Sequence, residues 1–348
     1  MAKQLSPEHK ARIKEGMRQA RERKLAQTTK TPSTVNKETS MTTPAPQIPD
    51  AFSALLGSIS DQVTKQIDET VTGEFKELRK QAQQNAKLEV TIGKNTNIVQ
   101  GLRHMQLEEL IKFASLRLPV LMVGMAGTGK THAAEQVAEA LGLNHYTKSV
   151  GAQTSKSDII GFMNANGGYV KTHFRTAFEE GGIFLMDEID AGNANVLIQI
   201  NAALSNGACA FPDAMVKKHK DFVFLASANT YGTGMNRQYV GRNQLDAATL
   251  DRFTIIDWYV DAKLEESLAV GTNGKAWYEA VKVVRKYIAN HNIRALITPR
   301  ATQKGATLLA SGFSVEDVIP AVMLGSVPED KKQDITKLAI EAYSGKKV

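Results

Sequence analysis

The stretch that decides the fold is GMAGTGKT, residues 124–131, which directly follows the apolar run PVLMV. It satisfies the pattern GxxxxGK[ST] through Gly124, Gly129, Lys130 and Thr131. Glycines let the backbone curl so that successive N–H groups point at phosphate oxygens, and a helix N-terminus adds positive potential. With a buried strand before it and a helix after it, the stretch predicts a phosphate-binding loop in which Lys130 reaches the terminal phosphates and Thr131 ligates Mg²⁺.

Two further apolar runs end in polar residues that fit the same site. GIFLMDEI carries Asp187 and Glu188 to the end of a predicted strand, and FVFLASAN carries Asn229 to the same sheet edge. Asp187 can hold the metal through its water shell, Glu188 can polarise an attacking water, and a neutral amide can orient that water. The acids are alternatively a helix cap and Asn229 a turn residue, but the order of these elements favours nucleotide hydrolysis.

The surrounding pattern predicts an α/β fold. From about residue 88, strand-like runs alternate with helical patterns, which is typical of a parallel sheet flanked by helices. After about residue 262 only helical patterns remain. We therefore expect a large α/β domain over residues 88–261 and a smaller helical domain over residues 262–348.

The N-terminal part of the chain differs in composition from this body. Residues 1–30 hold nine Lys or Arg against three Glu, so they carry +6 of the net charge of +7. A Thr-, Ser- and Pro-rich stretch follows, and residues 1–49 together predict a disordered basic arm with a flexible linker. Residues 50–87 return to helical spacing, which is more typical of a packing or self-association face than of a ligand site.

Composition excludes several other classes of protein. No stretch approaches the roughly 18 consecutive apolar residues of a membrane span, and the first residues lack an apolar secretion signal. We therefore expect a cytoplasmic protein that does not contact a membrane. The one cysteine, Cys209, cannot form an intrachain disulfide or build a cysteine-based metal site, and we expect it to be a small buried residue.

Beyond single motifs, the chain resembles the AAA+ ATPases. Within them it is similar to the MoxR group, most closely to CobS-type cobaltochelatase ATPase subunits and their phage-encoded relatives. The segments that carry this resemblance span roughly residues 90–310 and are GMAGTGKT, FMNANGGYVKTHFRTAFEEGGIFLMDEIDA, FVFLASANTYGTG, VGRNQLDAATLDRF and ITPRA. The GTP-specific relative McrB is expected to carry Asn-Thr-x-Asp, but this chain has NTYG, with Gly232 at the last position. The absence of the aspartate favours ATP over GTP as the nucleotide. Nothing identifies cobalt, a tetrapyrrole or a metal-insertion site.

The resemblance implies a role for each site residue. It implies a P-loop NTPase core of the AAA+ type with a C-terminal helical lid, binding ATP and Mg²⁺. The implied nucleotide-binding residues are Gly124, Gly127, Thr128, Gly129, Lys130, Thr131 and Asp187, with Mg²⁺ at Thr131 and Asp187. The implied catalytic residues are Glu188, sensor 1 Asn229, sensor 2 Arg300 and the arginine finger Arg252, which would serve a neighbouring subunit. Arg242 competes for the finger role, and Arg252 and Arg300 are alternatively surface ion pairs.

Two segments stand out, the first expected to form a loop or hairpin and the second a hairpin. DIIGFMNANGGYVKTHF resembles an insertion that projects toward the central pore of a ring, and its Phe162, Met163 and Tyr169 either touch a substrate or pack on the body. ACAFPDAMVKKHKDF forms the second expected hairpin. It groups four basic side chains, which are either solvated or substrate-facing: Lys217, Lys218, His219 and Lys220.

These expectations combine into one function and one rival. The chain is expected to hydrolyse Mg²⁺-ATP as a homo-oligomeric ring, which the resemblance implies is hexameric, and to remodel a protein partner in a bacterial or phage-infected cell. In this family the partner is often a protein with a von Willebrand A domain. The rival is a DNA-associated motor or a replication- or packaging-related ATPase, motivated by the basic arm and the Lys-rich hairpin.

Overall fold

The computed structural model describes residues 88–92 and 95–345. The predicted arm at 1–49 and the predicted helical segment at 50–87 lie outside the described residues. Within the described part, no helix combines the length and the apolar character needed to cross a membrane.

The described elements alternate along most of the chain. The strands are β1 Leu88–Ile92, β2 Asn95–Val99, β3 Val120–Val123, β4 His145–Ser149, β5 Phe162–Met163, β6 Tyr169–Val170, β7 Gly182–Asp187, β8 Ala208–Ala210, β9 Met215–Lys217, β10 Phe222–Ala228 and β11 Thr254–Asp257. The helices are α1 Leu107–Ser115, α2 Lys130–Leu141, α3 Lys156–Ile160, α4 His173–Glu180, α5 Ala194–Asn206, α6 Ala247–Leu250, α7 Ala262–Leu268, α8 Gly274–Asn290, α9 Pro299–Ala310, α10 Val315–Val322 and α11 Glu329–Tyr343.

The centre of the fold is a parallel sheet with the strand order β11–β3–β10–β7–β4. β3 and β10 are parallel neighbours, with Val123 opposite Ala228, and β7 pairs with β10 on the other side. Because the strands are parallel, β3, β7 and β10 all end at one edge. The structure confirms the predicted α/β class and each of these strands.

Apolar packing on both faces explains why the strands read as nearly continuous apolar runs. Side chains alternate along β3, so that Leu121 and Val123 enter one buried cluster while Val120 and Met122 enter the other. A third cluster, centred on Trp277, joins the helices that follow β11. No described strand follows β11, in keeping with the expected helical region.

An antiparallel hairpin of β1 and β2, which we did not predict, precedes the sheet. It is held against α2, where Asn97 Nδ2 donates to the Ala140 carbonyl at 3.1 Å. The segment expected to form a loop or hairpin and the one expected to form a hairpin both form hairpins, as β5 with β6 and β8 with β9. Cys209 lies buried in the second hairpin, as predicted.

Candidate active site

The glycine loop (residues 124–129) connects β3 to α2 and is shaped by close backbone contacts. A Cβ atom at Gly124 would lie 2.0 Å from the Trp258 carbonyl oxygen, so only glycine fits there. Gly129 adopts the left-handed region with φ +86°, which glycine tolerates without strain. Trp258 holds both ends of the loop, because its N–H donates to Val123 (2.6 Å) and its Nε1 donates to the Thr128 carbonyl (3.1 Å).

Lys130 begins α2, and its side chain folds back over the loop. The residue is 7% exposed, and Nζ donates to the carbonyls of Gly124 (2.7 Å) and Met125 (3.0 Å). Burial lowers the pKa of Lys130 to about 8, although the charges of Asp187 and Asp190 act in the opposite direction. The ammonium group is therefore poorly solvated, and an anion in the loop would relieve that cost.

The end of β7 meets the start of α2. Thr131 Oγ1 donates to Asp187 Oδ2 at 3.0 Å, and the Ser227 hydroxyl donates to Asp187 Oδ1. The Glu188 N–H donates to Ser227 Oγ at 3.2 Å. Glu188 itself adopts the left-handed region, with φ +59°, and leaves its side chain half exposed. This backbone turns the carboxylate out of the sheet edge while the neighbouring Asp187 stays bonded.

Behind this edge lies Asp190, which is completely buried. Its Oδ2 accepts from the N–H groups of Asn229 (3.1 Å) and Thr230 (3.0 Å) and from the Thr230 hydroxyl (3.0 Å). These bonds satisfy a buried carboxylate and hold the end of β10. The Asn229 side chain is best satisfied when Nδ2 donates to the Gly124 carbonyl (3.2 Å) and Oδ1 accepts from Arg242 Nη2 (2.8 Å).

The three predicted arginines occupy different positions. Arg242 lies against its own acids, with Nη2 3.4 Å from Glu188 Oε1 and Nη1 3.3 Å from Asp190 Oδ1. Arg252 instead donates through Nε to Ser205 Oγ (3.0 Å) and through Nη1 to the Ala248 carbonyl. Arg300, at the start of α9, is exposed and its stem lies over Gly127 in the cleft.

A cleft of about 750 Å³ runs from these groups toward the helical region. Its phosphate-loop end contains Lys130, Thr131, Asp187, Glu188 and Asn229. Its other end is lined by Gln100, Gly101, Leu102, His104, Gln136, Leu264, Leu268 and Gln303. A cleft of this size lies within the range of small-molecule and cofactor sites.

The residues present fit a Mg²⁺ ion that is held partly by a substrate. Mg²⁺ is usually bound through one or two protein oxygens plus waters and phosphates. Thr131 and Asp187 supply a hydroxyl and a carboxylate side by side. In the described part of the chain, no three His, Cys, Asp or Glu side chains form a cluster that could hold a metal by itself.

The two hairpins present different kinds of side chain. Phe162 and Met163 are 48% and 45% exposed, whereas Tyr169 packs on the core and donates its hydroxyl to the Ile160 carbonyl at 2.7 Å. In the second hairpin Met215 is 70% exposed. Three lysines of this hairpin segment are exposed as well: Lys217, Lys218 and Lys220. The half-buried His219 accepts a hydrogen bond from the Asp221 N–H.

Sequence reasoning missed two groups in the site. Asp190 belongs to the quoted segment DEID, but nothing in its spacing distinguished a buried anchor from a helix cap. Tyr239 lies far from the motif in sequence, yet its hydroxyl accepts from the Ala126 N–H of the glycine loop at 3.1 Å. Such a contact depends on the path of a long loop, which local patterns do not specify.

Comparison with known proteins is consistent with this geometry. Residues 119–253 match the family described as AAA domain (dynein-related subfamily). The aerobic cobaltochelatase subunit CobS of Sinorhizobium sp. is 30% identical over 148 residues, covering 39% of this chain and 45% of that protein. Lon protease of Brevibacillus choshinensis is 25% identical over 246 residues, covering 64% of this chain and 31% of that protein. Midasin of Giardia intestinalis is 29% identical over 158 residues, covering 44% of this chain and 3% of that protein. The matched regions span less than half the length of each relative.

Proposed function

We propose that the chain is a Mg²⁺-dependent ATP hydrolase, on the premise that residues 119–253 form an AAA+ domain of the MoxR and CobS type. The observation that carries the proposal is the 3.0 Å bond between Thr131 and Asp187. It joins the glycine loop to the acidic end of β7 directly beside the buried Lys130. P-loop enzymes use a hydroxyl, a carboxylate and a lysine in this arrangement to bind a nucleoside triphosphate with its metal.

In this proposal the glycine loop binds the phosphates. Its backbone N–H groups and the N-terminus of α2 surround the β- and γ-phosphates, and Lys130 exchanges its carbonyl partners for phosphate oxygens. Bound Mg²⁺ would be held by Thr131 and Asp187 and would offset the charge that develops on the phosphate oxygens. Arg300, exposed at the mouth of the cleft, is the proposed second cation on the phosphates.

Glu188 and Asn229 handle the attacking water. Glu188 accepts a proton from the water while the water oxygen bonds to the γ-phosphorus. The bond from the γ-phosphorus to the oxygen that bridges the β- and γ-phosphates breaks, which gives ADP and phosphate. The Asn229 amide lies between the glycine loop and Glu188 and orients the water without adding negative charge. The half-exposed Glu188 carboxylate can reach this water, whereas Asp187 is held by Thr131 and Ser227 and would hold the metal.

Arg252 is the proposed arginine finger, and it requires a second copy of the chain. Its two hydrogen bonds go to Ser205 and Ala248, away from the acids of its own site. A guanidinium that stabilises transition-state charge must touch the phosphates, so Arg252 would act on a neighbouring copy. A closed ring, hexameric by the family resemblance, would let every site receive one such arginine.

The work done by this cycle is proposed to be the remodelling of a protein partner. The exposed Phe162, Met163 and Met215 offer apolar contacts on the strands of two hairpins. A protein substrate, or a partner with a von Willebrand A domain, would dock where these side chains face it. The chain's hydrolysis and its contact surface would then lie on separate elements of one domain.

The exposed lysines of the second hairpin favour one alternative, a nucleic-acid motor. Lys217, Lys218 and Lys220 lie close together on an exposed segment. Turnover measured with duplex DNA, single-stranded DNA and no nucleic acid discriminates the two functions. A protein remodeler is indifferent to both DNAs, and stimulation of several-fold would favour the alternative.

The test of hydrolysis compares the full chain with Glu188→Gln. We expect the wild type to hydrolyse ATP and EDTA to abolish this activity. The Glu188→Gln protein should bind a fluorescent ATP analogue normally, but its turnover number should be lower by at least about 100-fold. Glu139→Gln, on the exposed face of α2, is the matched control and should match the wild type. Parent-rate hydrolysis by Glu188→Gln would show that Glu188 is not the base.

A further inference from the structure

We propose that Arg242 is a positioning residue that orients the Glu188 carboxylate of its own subunit. The proposal rests on the proposed function, because Glu188 matters only if the site hydrolyses ATP. It assigns Arg242 a role within one chain, which excludes it as the finger that reaches a neighbour. The argument comes from what the guanidinium contacts and from how its loop is anchored.

The Arg242 guanidinium joins three groups of the site. Nη1 lies 3.3 Å from Asp190 Oδ1, and Nη2 lies 3.4 Å from Glu188 Oε1 and 2.8 Å from the Asn229 oxygen in its satisfied orientation. The side chain is 13% exposed. Arg242 therefore links the fully buried acid behind the sheet edge to the two side chains proposed to act on water.

Glu188 depends on this contact more than its neighbours depend on theirs. Asp187 is held by Thr131 and Ser227, whereas the Glu188 carboxylate has Arg242 as its one ion-pair partner among the described residues. A half-exposed carboxylate without that partner can sample several rotamers, so its position at the sheet edge is no longer fixed. A misplacement of about 1 Å can cost about 100-fold in rate.

The loop that carries Arg242 is fastened to its own chain on both sides. The Asn243 N–H donates to the Asp190 carbonyl at 2.7 Å, and Asn243 Nδ2 donates to the Gly192 carbonyl at 2.9 Å. On the other side, the Tyr239 hydroxyl accepts from the Ala126 N–H at 3.1 Å. These contacts hold Arg242 over its own Glu188.

Reaching a neighbouring copy would require Arg242 to abandon Asp190, which is 0% exposed. Asp190 would keep its three other donors, but its charge would lose the one cation that contacts it among the described residues. Removing one partner of a buried ion pair is costly because the remaining charge stays desolvated. Within the part of the chain that the structure describes, Arg252 contacts Ser205 and Ala248 and forms no ion pair with an acid. We therefore assign Arg242 to its own site and Arg252 to the neighbour's.

The first measurement separates positioning from folding. Arg242→Ala should lower the turnover number about 10- to 100-fold while the affinity for an ATP analogue stays near that of the wild type. The melting temperature should fall, because the buried Asp190 loses its cation, so turnover is compared well below the melting temperature of both proteins. Arg242→Lys keeps a positive charge and should recover part of the rate, and it also serves if the alanine variant folds poorly. Arg237→Ala, exposed in the same loop, is the matched control. Wild-type turnover in Arg242→Ala would overturn the proposal, as would a loss confined to affinity or stability.

The second measurement separates the two subunits by mixing variants. In rings of Arg242→Ala and Glu188→Gln subunits, no site holds both residues in one chain, so we expect no recovery of turnover. Recovery would show that Arg242 acts on a neighbour and would overturn the proposal. Mixing Arg252→Ala with Glu188→Gln is the positive control and should restore activity where a Glu188→Gln subunit offers its Arg252 to an intact site.

Failure of the proposed function gives a different pattern. Absence of turnover in the wild type removes the proposed hydrolysis and this role with it. If neither mixture recovers, the trans role of Arg252 fails, and the double variant Arg242→Ala/Glu188→Gln decides Arg242 by single-turnover kinetics. A residual rate equal to that of Glu188→Gln supports action through Glu188, whereas a further 10-fold loss contradicts it.

Discussion

The candidate active site and the two hairpins differ in how their side chains are held. In the site, Lys130, Asp187 and Asp190 are bonded to neighbours and largely shielded from water. On the strands of the hairpins, Phe162 and Met215 are 48% and 70% exposed. Phosphate chemistry requires charges that are fixed before the substrate arrives, whereas a contact surface requires side chains left uncovered.

One residue connects the two hairpins to each other. Arg175, on α4, is 5% exposed and places its guanidinium 5.2 Å from the Tyr169 ring centre and 4.4 Å from that of Phe211. Its Nη1 also lies 2.7 Å from Asp213 Oδ1, in the second hairpin. Because α4 leads directly into β7, which ends at Asp187, the hairpins are joined to the site through one short helix.

The largest effect on turnover is expected from Arg252, the positive charge that we propose a neighbouring copy supplies to the site. Arg252→Ala should reduce turnover on the order of 10³-fold or more, since arginine fingers contribute 10³–10⁵ in related phosphoryl transfer. Affinity for nucleotide should stay near normal, because the finger acts on transition-state charge. Steady-state kinetics measures the loss of turnover, and equilibrium binding measures the nucleotide affinity. A large loss of affinity would show that Arg252 binds the ground state.

Lys130→Ala should affect binding as well as turnover. The ammonium group is the buried cation of the glycine loop, and truncating one member of a buried charge pair costs roughly 2–5 kcal/mol, so we expect affinity to fall on the order of 100-fold. Titration with a fluorescent ATP analogue measures this change. Lys148→Ala, on strand β4 away from the cleft, is a control that should bind normally. Unchanged affinity in Lys130→Ala would remove the phosphate role of Lys130.

Arg175→Ala tests whether the connection between the hairpins is structural. We expect the free energy of unfolding to fall by about 2 kcal/mol, less than for a fully buried pair, because Glu179 and Asp213 are about one-third exposed. Lys171→Ala removes an exposed partner of Glu179 and Glu180 and should cost less than about 1 kcal/mol. Urea denaturation of both variants compares them directly. Equal losses would mean that burial and stacking add nothing at Arg175.

The smallest effect on basal activity is expected at the exposed apolar residues of the hairpins. The double variant Phe162→Ala/Met215→Ala removes exposed apolar side chains, and exposed substitutions usually change stability by less than about 0.5 kcal/mol. Basal ATP turnover without a partner should therefore change by less than about twofold. A tenfold loss under these conditions would show that these side chains contribute to the site itself, and the two regions would then not differ as described.

The sequence predicted the site better than the surface, and there is a physical reason. Asp187 and Asn229 follow continuous apolar strands, and parallel strands necessarily bring their ends to one edge, so spacing alone placed them together. Arg242 and Tyr239 reach the site through a loop whose path depends on contacts distant in sequence. The hairpin β1–β2 was missed because its strands have five residues each and β2, NTNIV, begins with three polar residues, although β1, LEVTI, alternates apolar and polar residues. Whether Phe162 packs or projects could not be read from its residue type.

The central claim is that each site is complete for hydrolysis except for one arginine, supplied by a neighbouring copy. The measurement that tests it most directly is ATP turnover after mixing Arg252→Ala subunits with Lys130→Ala subunits, each nearly inactive alone. A Lys130→Ala subunit binds nucleotide poorly but still offers Arg252 to the intact site of its neighbour. We predict that turnover rises well above the sum of the two separate proteins, in proportion to the fraction of mixed interfaces. No increase in demonstrably mixed rings would contradict the claim.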